Sequence, residues 1–233
     1  MIKIGTYTTL ILLLVMIGTV FWSLSNLPET GSFPIHWNLQ GEANGFATRK
    51  SFAVMMWFLV LTAAGTGLLF TYLPKLDPLK ENLLKSSKIY MISWIGTQLT
   101  IALTMIAVCI MIVRAAKTGV GFDFFDQQYL LRFILAATAI FIILLGNYLP
   151  KSQQNWFIGV RTPWTLSSPE AWNKTHRLAG PLFMLTGLAT LYSAIFLPVE
   201  TNINVFAISL IGTVIVTVIA SFFFWKNASD KTT

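Results

Sequence analysis

The chain has 233 residues, of which 55% are hydrophobic and only 11% charged, and Lys plus Arg outnumber Asp plus Glu for a formal net charge of +7. A soluble domain carries roughly 25% charged residues, so the composition excludes an ordinary water-soluble fold. The basic residues are scattered beside apolar runs and form no basic block or aromatic-basic platform, which argues against direct nucleic-acid binding.

In chain order, six runs free of Asp, Glu, Lys and Arg approach or exceed the 20 or so residues that a helix needs to cross a bilayer. They are Ile4–Leu24, Ser51–Leu73, Ile89–Val113, Phe133–Leu149, Leu178–Val199 and Thr201–Trp225. The first is longer than a signal-peptide core and is followed by no small-x-small cleavage site, so it reads as a retained span. The fourth is the shortest, and residues 127–131 complete it if Arg132 snorkels toward the headgroups. The expected fold is all-α, a polytopic membrane protein forming one six-span domain over residues 1–233.

Orientation follows from the basic residues. One set of segments holds Lys3, then Lys75, Lys80, Lys85 and Lys88, then Lys151, Arg161, Lys174 and Arg177, then Lys226 and Lys231. The alternate loops hold only Arg49, Lys50, Arg114 and Lys117. The positive-inside bias therefore places both termini, the 74–88 loop and the 150–179 loop in the cytoplasm, and the 25–50 loop outside.

Leu73-Pro74 and Leu149-Pro150 are expected to end helices, because proline removes a backbone donor and restricts its predecessor. Gly119 and Gly121 mark a turn, with Asp123 and Asp126 as candidate caps for the fourth span. Cys109, the single cysteine, lies inside the third span and is expected to pack as a small apolar side chain. The tail after Trp225 is short and polar and is expected to fray.

Two connections are richer than linkers need to be. The outer one, PIHWNLQGEANGFATRK, sets Pro34 in an extended approach, with Gly41 and Asn44-Gly45 as turn residues. His36, Trp37 and Asn38 then present an imidazole, an indole and an amide together. That cluster suits a peptide, a lipid headgroup or a metal, while the blander reading puts Trp37 in the interfacial aromatic belt and has His36 and Asn38 bond the loop's own backbone.

The inner connection is Trp-rich. Asn147 and Asn155 can tie down irregular backbone, Gly159 permits a sharp turn, and Arg161 supplies a rigid fork of donors. Thr162, Pro163 and Trp164 give a proline-fixed turn with an aromatic anchor. Ser167 or Ser168 can cap a helix with Pro169 at its first position and Glu170 in its first turn. On that helix Trp172, His176 and Ala179 share a face with Thr175 beside them, predicting an amphipathic segment in the inner interface before the fifth span. Arg161 and Arg177 equally suit lipid phosphates or helix carboxyl ends.

The run GNYLPKSQQNWFIGVRTPWTL, followed by AWNKTHRLAG, resembles the carboxyl-terminal signature of the SdpI-like bacterial membrane proteins, a family named for an immunity protein against a secreted peptide toxin. PIHWNLQGEANGF resembles the amino-terminal domain of unknown function found in that family, with Asn44-Gly45 where an acidic residue before glycine is expected. The resemblance implies a bacterial cytoplasmic-membrane protein, with the bilayer as its setting, that gives resistance to an extracellular peptide toxin. It also implies a possible partner, a cytoplasmic winged-helix repressor held at the membrane, and no cofactor.

The competing reading is a small-molecule or lipid transporter, in which Thr100, Thr104, Thr138, Thr186, Thr190, Thr213 and Thr217 line a polar path with Gln98. Carriers, however, usually keep an ionisable residue deep in the bilayer, and none is deep here. An enzyme is less favoured still. The only histidines, His36 and His176, fall on opposite sides of the membrane in this topology and cannot share a metal, and no nucleophile is indicated.

Overall fold

The computed structural model describes residues 1–37, 43–118 and 124–231. Among them, six helices are long and apolar enough to cross a membrane. They are α1 (Ile2–Asn26), α2 (Arg49–Leu76), α4 (Ser87–Thr118), α5 (Phe124–Tyr148), α7 (Pro169–Phe196) and α8 (Val199–Lys226). Short helices α3 (Lys80–Lys85) and α6 (Pro163–Leu166) lie between spans, and strands β1 (Phe33–Trp37) and β2 (Ala43–Ala47) pair antiparallel. The protein is a multi-pass membrane protein.

Burial is inverted relative to a soluble bundle. Leu14, Val54, Phe58 and Ile208 are each about two-thirds or more exposed, while Gln98, Thr190 and Asn202 are fully buried. Such continuous apolar outer faces require lipid, and the inward polar groups hold helices together where no hydrophobic drive acts between them. Thr186 bonds Thr213 at 2.8 Å, Ser193 bonds Asn202 at 2.8 Å, and Thr100 and Thr138 bond carbonyls of their own helices. These hydroxyls are used in packing rather than along a path. Cys109 is fully buried with its sulfur 3.4 Å from that of Met56.

The helices form two groups of three. α1, α2 and α4 surround Met16, Val20, Phe52 and Met105, with Gly67 pressed against Thr9 and Gln98. α5, α7 and α8 form the second group, in which Gly146 and Gly180 bring α5 and α7 backbones together; a β-carbon on Gly146 would lie 2.7 Å from the Gly180 carbonyl. The groups meet along α4 and α5.

Several local expectations need correction. α2 passes through Pro74 and ends two residues later at Leu76. Proline cannot donate to the Phe70 carbonyl four residues back, and the Tyr90 hydroxyl of α4 donates to it instead. At the other predicted stop α5 does end, at Tyr148, and Pro150 sits in a single 3-10 turn. The Arg132 guanidinium donates to the Ala194 carbonyl at 3.4 Å, in the last turn of α7, where a cation meets the negative end of the helix dipole. The tail is docked as far as it is described, since Asp230 accepts from Ser168 Oγ and, at 2.9 Å, from Glu170 N, while Glu170 accepts from Ser229 N at 2.9 Å. The turn expected at Gly119 and Gly121 lies outside the described residues.

Candidate functional site

Both motif-bearing connections are built regions, one at each end of the bundle. At the first end the chain forms a β-hairpin rather than a loop. Phe33 and Ala47 pair and are buried, and Phe33 meets Phe52 of α2 edge-on at 5.8 Å, so one face of the hairpin seats on the first helix group. Thr48 then starts α2 by accepting from Ser51 N at 3.3 Å in a reciprocal capping box.

Burial of Phe33 and Ala47 sets the register, and with it the place of Asn44-Gly45. These residues lie in β2, not in a turn, and Gly45 does not have positive φ. Opposite Gly45 is His36, so close that a β-carbon on the glycine would lie 2.8 Å from the His36 β-carbon. The imidazole Nδ1 is 2.6 Å from the Asn44 side-chain oxygen, and both residues are exposed. His36 therefore bonds a cross-strand side chain rather than its own backbone. Pro34 occupies β1 as expected for an extended residue, and Phe46 is 61% exposed beside it. Asn38 and Gly41 lie outside the described residues, as does the side chain of Trp37.

The second end carries the segment from residue 149 to 168 between α5 and α7. Asn155 is fully buried and makes four bonds: its amide donates to the carbonyls of Gln153 and Ile158 at 2.9 and 3.1 Å, and its oxygen accepts from the nitrogens of Phe157 and Ile158 at 3.0 and 2.7 Å. One side chain thus satisfies a full turn of irregular backbone. Gly159 follows with φ +128, which a residue with a β-carbon adopts only under strain, and such a carbon would strike the ring of His176.

Trp172 and His176 are stacked 4.0 Å apart and fully buried, and each bonds the segment above. Trp172 Nε1 donates to the Ser152 carbonyl at 3.0 Å, and Val160 N donates to His176 Nε2 at 3.0 Å. Because Nε2 accepts, the proton sits on Nδ1, which donates to the Trp172 carbonyl at 2.7 Å. Both ring nitrogens are thereby used in holding the fold.

The shared face of Trp172, Thr175, His176 and Ala179 is present, but it turns into the protein. The expected in-plane amphipathic segment is instead the first turns of the spanning helix α7, with Ser168 as cap and Pro169 first. Thr162 and Thr165 cap α6 reciprocally, Thr162 Oγ1 lies 3.0 Å from Ser221 Oγ of α8, and Trp164 meets Phe222 at 5.3 Å, which supplies the expected aromatic anchor. Pro163 opens α6. Arg161 is exposed and donates to the Trp156 carbonyl at 2.9 Å. Arg177 and Asn147 are exposed on α7 and on the last turn of α5, apart from the buried network.

Residues that the motif reading missed lock this segment to the first helix group. Asp77 is buried, and its two oxygens accept from Leu79 N at 2.7 Å and Trp156 N at 3.1 Å. Asn82 donates to the Gln154 carbonyl at 3.0 Å, and Ser86 Oγ accepts from Gln153 N at 2.8 Å. Asp77-Pro78 does carry a turn signal; the pairing of Asp77 with Trp156, 79 residues away, carries none. Beside this lock a cavity of about 530 Å³ opens between α2, α4, α5 and α7, with phenylalanines at 70, 141, 157 and 183 on its walls and Arg161 among its lining residues.

Residues 11–74 match a domain of unknown function (DUF1648), and residues 151–223 match the SdpI/YfhL protein family. The first match contains the hairpin and the second most of the buried network. The chain is 29% identical to "Immunity protein SdpI" of Bacillus subtilis (strain 168) over 92 residues, which is 40% of this chain and 44% of that protein. The alignment thus spans less than half the length of the curated relative. No solved structure matches. The chain thus resembles the SdpI-like membrane proteins in two regions, with the DUF1648 match preceding the SdpI/YfhL match.

Proposed function

We propose that the protein is an immunity protein of the bacterial membrane that protects against a secreted, membrane-active peptide, without catalysis. The observation that carries this reading is the joint match to DUF1648 and the SdpI/YfhL family, together with similarity to a named immunity protein. In this reading the positive-inside bias sets the hairpin outside, where the exposed His36 and Asn44 meet the peptide. The 149–168 segment faces the cytoplasm, where exposed Arg161, Arg177 and Trp156 offer a surface to a winged-helix repressor.

Two observations favour this over catalysis and transport. Both nitrogens of His176 are bonded within the fold, which leaves no free base there. Thr100 and Thr138 bond carbonyls of their own helices and Thr186 bonds Thr213, which favours packing over a polar path. The test is expression of the chain in a peptide-sensitive bacterial strain. Survival should rise against a membrane-active peptide but not against small-molecule antibiotics, whereas broad resistance to small molecules would support transport and overturn the proposal.

A further inference from the structure

The seam between the two helix groups has a second side, away from the Arg161 cavity. There a groove of about 390 Å³ runs between α4 and α5, walled by Ile92, Leu99, Leu103, Ala137 and Leu144. Its one hydroxyl residue, Thr100, has its oxygen bonded to the Gly96 carbonyl at 2.9 Å. From Met91 to Leu103 the groove follows α4 for about 18 Å at 1.5 Å per residue, close to the half-thickness of a hydrocarbon core about 30 Å deep.

At the end nearer the 149–168 segment lies a smaller cavity of about 150 Å³, lined by Lys85, Ser86, Ser87, Lys88, Tyr148 and Lys151 along with Ile89. Lys88 stands one helical turn before Ile92, and Tyr148 one turn after Leu144, so this cavity sits at the mouth of the apolar groove. Among the described residues, no Asp or Glu lines it. All three lysines are exposed, and Lys151 is held with its ammonium 4.7 Å from the centre of the Tyr148 ring. The cavity also meets the beginning of α4, where the helix dipole adds to the attraction for an anion.

We propose that this seam is a binding site for one anionic phospholipid of the adjoining leaflet. Its headgroup phosphate is held by Lys85, Lys88 and Lys151, and an acyl chain lies in the groove between α4 and α5. The length of the groove selects a leaflet-spanning chain, and the unopposed lysines select negative charge over a zwitterion. The site involves neither the hairpin nor a peptide, so it stands or falls separately from the immunity role.

The test is native mass spectrometry of the full chain, delipidated and then offered equal amounts of phosphatidylglycerol and phosphatidylcholine. Retention of phosphatidylglycerol should exceed that of phosphatidylcholine by about tenfold, on the scale expected for several lysines near an anionic headgroup. K85Q/K88Q/K151Q should abolish that preference, while K3Q/K226Q/K231Q, with the same loss of charge elsewhere, should keep it. Ala137→Phe, which fills the groove, should lower retention of both lipids. Equal retention of the two lipids, equal loss in both triple variants, or full displacement by glycerol phosphate, which has no acyl chain, would each overturn the proposal.

Discussion

At the hairpin end the polar side chains of His36 and Asn44 bond each other and stay in the open, whereas at the other end Asn155, Trp172 and His176 are fully buried and bond backbone. The difference lies in what each polar group would lose. A buried amide or imidazole must be satisfied by the fold, so its chemistry is consumed in holding it. An exposed pair on a strand scaffold can exchange its mutual bond for one to a ligand at little cost to the fold. The longer and more distinctive signature therefore spends its buried polar side chains on holding the fold, and the shorter one leaves His36 and Asn44 exposed.

The comparison is broken most severely at Asn155. Asn155→Leu keeps the volume but strands two backbone N–H groups and two carbonyls, at about 1–3 kcal/mol for each group left unsatisfied. Abundance in the membrane fraction should collapse, and any protein recovered should unfold well below wild type by differential scanning fluorimetry. Gly159→Ala comes next, since positive φ and the approach of His176 together cost on the order of 1–3 kcal/mol. It should express with a clearly lowered Tm. Asp77→Asn is gentler, because one amide oxygen can still accept while the bond to either Leu79 N or Trp156 N is lost, about 1 kcal/mol. A variant that left Tm unchanged at all three positions would show that the buried network does not hold this end together.

The spans were readable because a charge-free run long enough to cross a bilayer has few alternatives, and the polar face of α7 was readable from helical spacing. What escaped was set by distant partners. Pro74 looked like a stop, yet its cost is absorbed by the Tyr90 hydroxyl on another helix. Asn44-Gly45 looked like a turn, yet burial of Phe33 and Ala47 against the helices places it inside a strand. The tail looked loose, yet Asp230 finds the first turn of α7, sixty residues earlier in sequence. Asn155 was legible as a backbone tie because its bonds are local, whereas Asp77 reaches Trp156 across the seam and was not.

The most direct measurement replaces the hairpin pair, His36→Ala with Asn44→Ala, and compares survival under peptide challenge with wild type at matched membrane abundance. Because the pair is exposed and its bond links two surface side chains, Tm should stay close to that of wild type while protection is lost. Full protection by the double variant at equal abundance would contradict the account and return the hairpin to the role of scaffold.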